Sequence, residues 1–284
     1  MATIPAFNEA KYIGTVVLST RQHVDEVLVV DYGSTDQTAN VARLTGATEF
    51  RHQQNRGYGA SIRRLFTEAK KRKSDILVLL DADAQHYPDD IPRLIKPIQE
   101  GYDLIIGSRK AQSAKIPRYR RFGQRIIAYF SGILSGKKLF DSECGFRVFS
   151  RKAITTLDLK ENGMAISAET IADAAEKGLK ITARPVSISY TEDSSTLNPL
   201  LHSLQVIGRI MAMISEKRPI YFFGLGGAIL SLLGLIAGMR VIDVVYAGGG
   251  VSTGTALVSI LLITISVFSV FTGIILHVLA KRGG

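Results

Sequence analysis

The sequence predicts an α/β domain built on a mostly parallel sheet, followed by a two-helix transmembrane hairpin. Three features carry that reading. Short apolar runs end in polar residues, most clearly Ile76-Leu77-Val78-Leu79-Leu80 before Asp81-Ala82-Asp83-Ala84-Gln85-His86, and an uninterrupted apolar run reads as a strand buried on both faces. Strand-like and helical stretches alternate, the rhythm of βαβ units with helices on both sides of the sheet. The C-terminal segment is apolar: 21 residues from Pro219 to Met239 and 37 from Val244 to Ala280 carry no formal charge, against the roughly 20 needed to cross a bilayer.

Taken in order, Thr3-Ile4 reads as the stub of a first strand ending at Pro5-Ala6-Phe7-Asn8-Glu9. So short a stub predicts that the natural N-terminus is a few residues longer or was trimmed. A helix follows through Tyr12 to Ser19, then a strand, Val27 to Val30, that ends at Asp31. Gly33-Ser34-Thr35-Asp36 turns into a helix with Ser34, Thr35 and Asp36 as candidate caps. After Asn55-Arg56-Gly57-Tyr58-Gly59 a helix runs to about Lys71, then comes the strand that stops at Asp81. A further strand, Leu104-Ile105-Ile106, ends at Gly107-Ser108-Arg109. Two later segments are amphipathic. Tyr119, Phe122, Ile126, Phe130, Ile133 and Leu134 share a helical face, with Arg118, Arg120, Arg121 and Arg125 at its start, and Leu200, Leu204, Ile207, Met211 and Ile214 repeat at four-three spacing. Such helices either lie in a membrane interface or pack on the sheet. The expected organisation is a catalytic domain over 1–196, an amphipathic juxtamembrane helix over 197–218 and a hairpin over 219–284, with spans at about 219–240 and 256–280. The competing reading, two buried core helices, fails because nothing downstream could bury helices that are apolar all round.

The net charge of +10 raises nucleic acid as a partner, but no nucleic-acid motif accompanies it. Basic residues gather at Arg118–Arg125 and before the first span, where anionic lipid headgroups explain them better. Lys217 and Arg218 precede the first span and Lys281 and Arg282 follow the second, while the expected loop balances Arg240 against Asp243. The positive-inside rule then predicts an integral membrane protein with its large domain and C-terminus in the cytoplasm. No signal peptide is visible. Cys144 is the only cysteine, so no internal disulfide can form, which suits a reducing compartment.

Three predicted strands end in polar groups at one sheet edge: Asn8 and Glu9, Asp31, and Asp81 with Asp83. Open α/β sheets hold ligands at that edge. Asp81, Asp83 and Gln85 offer oxygen donors at alternate positions, which suits a hard divalent cation completed by substrate phosphates and water. A crevice lined by acids and a metal fits a nucleotide diphosphate, and Gly57 and Gly59 would allow close backbone approach. A dinucleotide site competes poorly, because no Gly-x-Gly-x-x-Gly follows the first strand.

Pro5-Ala6-Phe7-Asn8-Glu9, Val30-Asp31-Tyr32-Gly33-Ser34-Thr35-Asp36, Asn55-x-Gly-x-Gly-Ala60, Asp81-Ala82-Asp83-Ala84-Gln85-His86, Gly107-Ser108-Arg109 and Cys144-Gly145-Phe146-Arg147 occur in this order. In that series the chain resembles family 2 glycosyltransferases of the Rossmann-like GT-A fold. Within the family it is similar to polyprenyl-phosphate glycosyltransferases such as the dolichol-phosphate mannose and glucose synthases, over roughly residues 2 to 190 and in its C-terminal hairpin. The resemblance implies that Pro5, Phe7 and Glu9 line the nucleotide pocket and that Asp31 contacts base or ribose. It implies that Asp81 and Ala82 also border the nucleotide sugar, and that Asp81, Asp83 and Gln85 hold Mg2+ or Mn2+ against the donor diphosphate. Arg109, with Arg120 or Arg121, would bind the acceptor phosphate, and Asp83 and Arg109 would carry the catalysis. Asp141 and Glu169 match acidic positions of the family, where capping or ion pairing competes with a direct role. The implied partners are a nucleotide-sugar donor, a polyprenyl or dolichyl phosphate and membrane lipid. A homo-oligomer is compatible with this reading and nucleic acid is not part of it. Two departures matter: Tyr32 replaces a second aspartate, and Tyr190 to Thr196 lacks the arginine and Gly-x-Ser-Lys segment of many mannose-type members. The first leaves the base contact, and so the nucleotide, open; the second weighs against GDP-mannose and favours a UDP-sugar.

The implied reaction is an inverting transfer in which the metal stabilises the departing diphosphate. A phosphate monoester, with a second pKa of about 6, arrives already ionised, so it needs orientation by arginine forks and no general base. One alternative is a membrane transferase with a hydroxyl acceptor, making glycolipid or polysaccharide, which would need a carboxylate base. The Gln-x-x-Arg-Trp motif of processive synthases is absent, since the chain has no tryptophan. Another alternative is a non-catalytic membrane-anchored binding protein, against which the intact Asp81, Asp83 and Gln85 set argues.

Overall fold

The computed structural model describes residues 1–108, 132, 144–189 and 199–282, which divide into two compact units, Met1–Ile210 and Met211–Gly284. In the first unit strands and helices alternate: β1 (Ala2–Ala6), α1 (Ile13–Arg21), β2 (Val27–Asp31), α2 (Thr38–Leu44), β3 (Thr48–Arg51), α3 (Tyr58–Lys71), β4 (Ile76–Leu79), α4 (Ile91–Gln99) and β5 (Leu104–Ser108). After the gap come β6 (Arg147–Ser150), α5 (Arg151–Thr156), α6 (Ile166–Glu176) and β7 (Ile181–Pro185).

Among the described residues these strands form one sheet in the order β3-β2-β1-β4-β6-β5-β7. β3, β2, β1 and β4 run parallel. β6 lies antiparallel between β4 and β5, and β7 is parallel to β5. The mostly parallel expectation therefore holds, with β6 as the inserted exception. β1, β2 and β5 are buried at every position, as strands covered on both faces must be. Leu28, Leu65, Leu77, Leu104 and Phe149 are fully buried within the core. Parallel pairing sets Ala6 beside Asp31 and Thr3 beside Leu79. The carboxyl ends of β1, β2 and β4, and the segments that leave them, thus share one edge.

Several boundaries differ from the sequence reading. β1 runs the full Ala2–Ala6 rather than a two-residue stub. The expected caps Ser34 and Thr35 do not cap α2, which starts at Thr38. Ser34 instead accepts the Asn8 N–H at 2.8 Å, and Thr35 gives its own N–H to Asn8 Oδ1 at 2.9 Å. Only Asp36 serves the helix start, accepting the Thr38 N–H at 3.0 Å. Pairing between strand ends takes these hydrogen-bonding groups away from the helix. β3, β6 and β7 are four or five residues each and too short for period alone to reveal. The predicted helix from Arg118 to Leu134 lies outside the described residues.

α7 (Pro199–Lys217) contains the predicted four-three stripe. Ile210, Met213 and Ile214 are its buried residues, and Ile207 and Met211 are half-buried. The second unit contains α8 (Pro219–Tyr246) and α9 (Thr253–Arg282). Both are long and apolar enough to cross a membrane, with mean hydropathies of 2.1 and 2.5 over their windows. They exceed the expected spans. Arg240 and Asp243 therefore sit in the last turns of α8 rather than in a loop, and the connection shrinks to 247–252 with Gly248 at φ +80°. Along the pair, Ser259, Ser266 and Ser269 of α9 donate to the carbonyls of Gly234, Gly227 and Phe223 of α8 at 2.7, 2.8 and 2.8 Å. Small residues that let backbones approach are how helices associate in lipid, where hydrophobicity offers no drive.

Candidate active site

The shared sheet edge collects acids. Asp81 follows β4 and is gripped by three neighbours. The Tyr58 hydroxyl, at the start of α3, donates to Asp81 Oδ1 at 3.0 Å. His86 Nε2 lies 3.5 Å from Oδ2. Gly145 backs directly onto the carboxylate: a Cβ there would lie 2.0 Å from Oδ2. Asp83 folds over a tight turn, taking the Gln85 N–H on Oδ1 at 3.0 Å, with Ala84 between them in the left-handed region at φ +56°. Ala82 is buried and Gln85 half-buried.

Each ionisable group here feels the others. Burial, then Asp81, raises the Asp83 carboxyl above the ordinary aspartate range, against the opposing pull of the Gln85 N–H and His86. Glu9 is pushed up to about 7 by burial and by Asp83, Asp36 and Asp81. Burial, Asp81, Glu9 and Asp31 push the Tyr32 hydroxyl to about 12. Burial and Asp81 hold the Tyr58 hydroxyl well above its usual value. Asp81 and Asp83 therefore lie close enough to Glu9, and Asp81 to Asp83, to raise their carboxyls, and acids perturbed together in this way mark functional sites.

Asp31 is fully buried at the end of β2. Its Oδ1 closes the turn by accepting the N–H groups of Gly33 and Ser34 at 3.1 and 2.8 Å. Its Oδ2 has no hydrogen-bond partner and faces Arg51 Nε at 3.6 Å. Tyr32, the departure noted above, stacks on Phe7 with ring centroids 5.2 Å apart and planes 14° from parallel. Pro5 is buried in β1 opposite Val30. Arg109, Arg120, Arg121 and Asp141 lie outside the described residues.

Two expectations change. Gly57 and Gly59 do approach backbone closely, but it is the chain's own. A Cβ on Gly57 would come 2.6 Å from the Asn162 carbonyl, and one on Gly59 would come 2.5 Å from that of Glu161. The Gly59 N–H also donates to Asn162 O at 2.8 Å. The glycines thus dock the start of α3 on the loop before α6, which fixes where Tyr58 can reach. Glu169 holds the same loop from within α6, accepting the N–H groups of Lys160 and Glu161 at 3.1 and 2.9 Å, so it braces the loop rather than capping the helix start at Ala165.

Tyr58, His86 and Gly145 each touch Asp81, a role that the motifs containing them do not show on their own. For Gly145 the legible signal was its place in Cys144-Gly145-Phe146-Arg147. The buried Arg147 ties that turn down, giving Nε to Cys144 O and a terminal nitrogen to Ser167 O, both at 2.9 Å. Among the described residues no three His, Cys, Asp or Glu side chains converge as a metal-binding group.

Comparison with known proteins agrees with this geometry. The model of Glycosyl transferase family 2 matches residues 2–157. An uncharacterized protein of Methanocaldococcus jannaschii is 35% identical over 67% of this chain and 82% of its own length. The UDP-N-acetylglucosamine--dolichyl-phosphate N-acetylglucosaminyltransferase of Methanococcus voltae is 29% identical over 67% of this chain and 86% of its own length. A structure of glucosyl-3-phosphoglycerate synthase from Mycobacterium tuberculosis, in complex with Mn2+, UDP and phosphoglyceric acid, superposes with a TM-score of 0.61. It is 21% identical and covers 76% of this chain and 77% of its own, a likeness of fold. With the sheet topology, the strand-end acids and a family match over more than half its length, this chain belongs to glycosyl transferase family 2.

Proposed function

We propose that this glycosyltransferase moves a sugar from a nucleotide diphosphate donor to a polyprenyl or dolichyl phosphate, inverting the anomeric centre, at the cytoplasmic face of a membrane. The observation that carries the reading is the crowding of Glu9, Asp81 and Asp83 at the end of the parallel strands, where burial and neighbouring acids raise the Glu9 and Asp83 carboxyls. The donor set fits a hard divalent ion: two carboxylates and the Gln85 amide, with coordination left for phosphate and water. Asp81, Asp83 and Gln85 would hold Mg2+ or Mn2+, whose part when bound is to stabilise charge on the leaving diphosphate.

The chain's own residues do the rest. Tyr58, His86 and Gly145 fix the Asp81 carboxylate, so that no reorganisation is needed when the donor arrives. The Phe7–Tyr32 stack offers an aromatic face to a base beside Pro5 and Ala82, and Asp31 Oδ2, which accepts no hydrogen bond and lies 3.6 Å from Arg51 Nε, is an acceptor for a base or ribose donor. Arg109, with Arg120 or Arg121, would orient the acceptor phosphate, already largely dianionic at neutral pH. Membrane lipid surrounds the hairpin at 219–284, basic flanks hold it with the catalytic domain at 1–196 and the C-terminus inside, the amphipathic segment 197–218 joins the two, and a homo-oligomer stays compatible with this arrangement. A UDP-sugar donor is favoured by the segment Tyr190 to Thr196, which lacks the arginine and Gly-x-Ser-Lys of many mannose-type members. The donor named for the Methanococcus voltae relative supports that choice.

The test is transfer of radiolabelled sugar to polyprenyl phosphate by the full chain with Mn2+, offering UDP-N-acetylglucosamine, UDP-glucose and GDP-mannose in turn. One UDP-sugar should be used and Asp83→Ala should lower transfer by about 10³-fold or more, while Arg109→Ala should weaken use of the lipid phosphate more than donor binding. Full activity in Asp83→Ala would sink the metal-site reading, and transfer to a lipid hydroxyl alone would replace the acceptor.

A further inference from the structure

A second polar region lies on the other side of α3. Ala60, Arg63, Arg64 and Thr67 belong to the face that α3 does not bury, and with His52, Arg56, Leu159 and Asn162 they line an open cleft of about 690 Å³. None of Glu9, Asp81 or Asp83 borders it. Four side chains here are basic, and two of them, Arg63 and His52, keep a buried nitrogen without a partner. Arg63 gives one terminal nitrogen to Lys160 O at 3.1 Å, which orients the guanidinium. Its Nε is buried without a partner, as is His52 Nδ1. Arg56 is exposed and makes no ion pair among the described residues. Arg64 pairs with Glu68 at 3.1 Å, but the same carboxylate also serves Lys71 and Arg72 at 3.2 and 2.7 Å. Arg72 has a second acid in Glu26 at 3.1 Å, whereas Arg56 and Arg63 make no ion pair among the described residues.

We propose that this cleft is a second anion site, which takes a phosphate-bearing group between Arg63, Arg56 and His52. Planar guanidinium forks suit phosphate oxygens, and unused buried donors are the groups that gain most from an incoming acceptor. Burial lowers the His52 pKa, Arg56 and Arg64 lower it further and Asp31 opposes them, so both guanidiniums lie close enough to act on His52. The volume exceeds what a bare phosphate needs and falls within the range of organic ligand sites, roughly 300–1,000 Å³. The occupant is a phosphomonoester with an organic body that rests on Leu159. It is either a soluble metabolite or the headgroup of an anionic lipid, which share the recognised chemistry. Asn162 forms one wall, and its carbonyl receives the Gly59 N–H at 2.8 Å. Occupancy therefore braces the start of α3, where Tyr58 holds Asp81. The site stands on its own residues and does not depend on the transferase reading.

The test uses the full chain in phosphatidylcholine nanodiscs without metal, titrated with inorganic phosphate and followed by ³¹P line broadening. Saturable binding should weaken about tenfold or more in Arg63→Gln and in Arg56→Ala, and should persist in Asp83→Ala. Arg56 is exposed, so its variant stays informative if Arg63→Gln misfolds. In discs doped with phosphatidic acid, loss of phosphate uptake at the cleft identifies the lipid headgroup as occupant, and unchanged uptake identifies a soluble phosphate; either supports the site. Absence of saturable binding, affinity unchanged from the parent in both arginine variants, or loss of binding in Asp83→Ala would overturn it.

Discussion

Two places where a glycine meets an oxygen show how differently the two units are built. In the α/β unit a Cβ on Gly145 would lie 2.0 Å from the Asp81 carboxylate. In the hairpin a Cβ on Gly234 would lie 2.8 Å from Ile263 and 3.1 Å from the Ser259 carbonyl. The first glycine makes room for a charge that must sit at one point, because phosphate and cation chemistry depends steeply on position. The second makes room for a whole helix, where the gain is van der Waals contact along its length. Loss of space should therefore be costly to activity in one unit and to packing in the other.

Gly145→Ala is the sharpest probe of that difference. The added methyl has nowhere to go while Arg147 anchors the turn, so the Asp81 carboxylate must shift. A displacement of about 1 Å in a positioned group costs on the order of 10²-fold, and transfer rate should fall by that amount, with a far smaller change in thermal midpoint. Unchanged kcat/KM would mean that Asp81 is not held in place for catalysis. Tyr58→Phe removes only the 3.0 Å hydrogen bond to Asp81. About tenfold is the expected loss, and the split between kcat and KM for donor reports whether Tyr58 acts on the Asp81 carboxylate or on α3.

Much of this was legible in the sequence, and the limit has a physical cause. Apolar runs placed β1, β2, β4 and β5, and Asp31 and Asp81 stood out because each directly follows such a run. The crowding of Glu9 with Asp81 and Asp83 followed from parallel pairing. What escaped were residues whose partners lie far away in the chain. Gly145 meets Asp81 only because β6 returns antiparallel to β4, and Gly57 and Gly59 meet Glu161 and Asn162 across a hundred residues. Ser34 and Thr35 read as helix caps because local rules describe neighbours, yet Asn8 claims both.

The crowded edge also makes a pH prediction that the hairpin does not. In metal-free protein Glu9 titrates at about 7 against an ordinary 4.5, so the folded chain holds a proton there that the unfolded chain has released. Stability should fall as pH rises from about 4.5 to about 7 and level off above. Glu9→Gln keeps the shape and removes the charge. Its thermal midpoint should match that of the parent near pH 4.5 and exceed it above pH 7. Because Glu9 is half-exposed, the gain should stay within about 1 kcal/mol once solvent screening is allowed for. A midpoint difference that does not change with pH would show that Glu9 does not feel Asp83.

The smallest effect is expected in the hairpin. Ser259→Ala deletes the hydroxyl that reaches Gly234 O at 2.7 Å. In lipid the orphaned carbonyl keeps its own helical hydrogen bond, and hydrogen bonds between membrane helices are worth only about 0.6 kcal/mol on average. Unfolding of the hairpin in bicelles should shift by that amount, and transfer activity should stay within twofold. Gly234→Leu in the same assay separates the two contributions, since it keeps the serine but removes the space, and overpacking costs about 1–3 kcal/mol. If the serine variant proved the more damaging, the hairpin would depend on its polar contacts as the strand-end site does, and the contrast between the two units would fail.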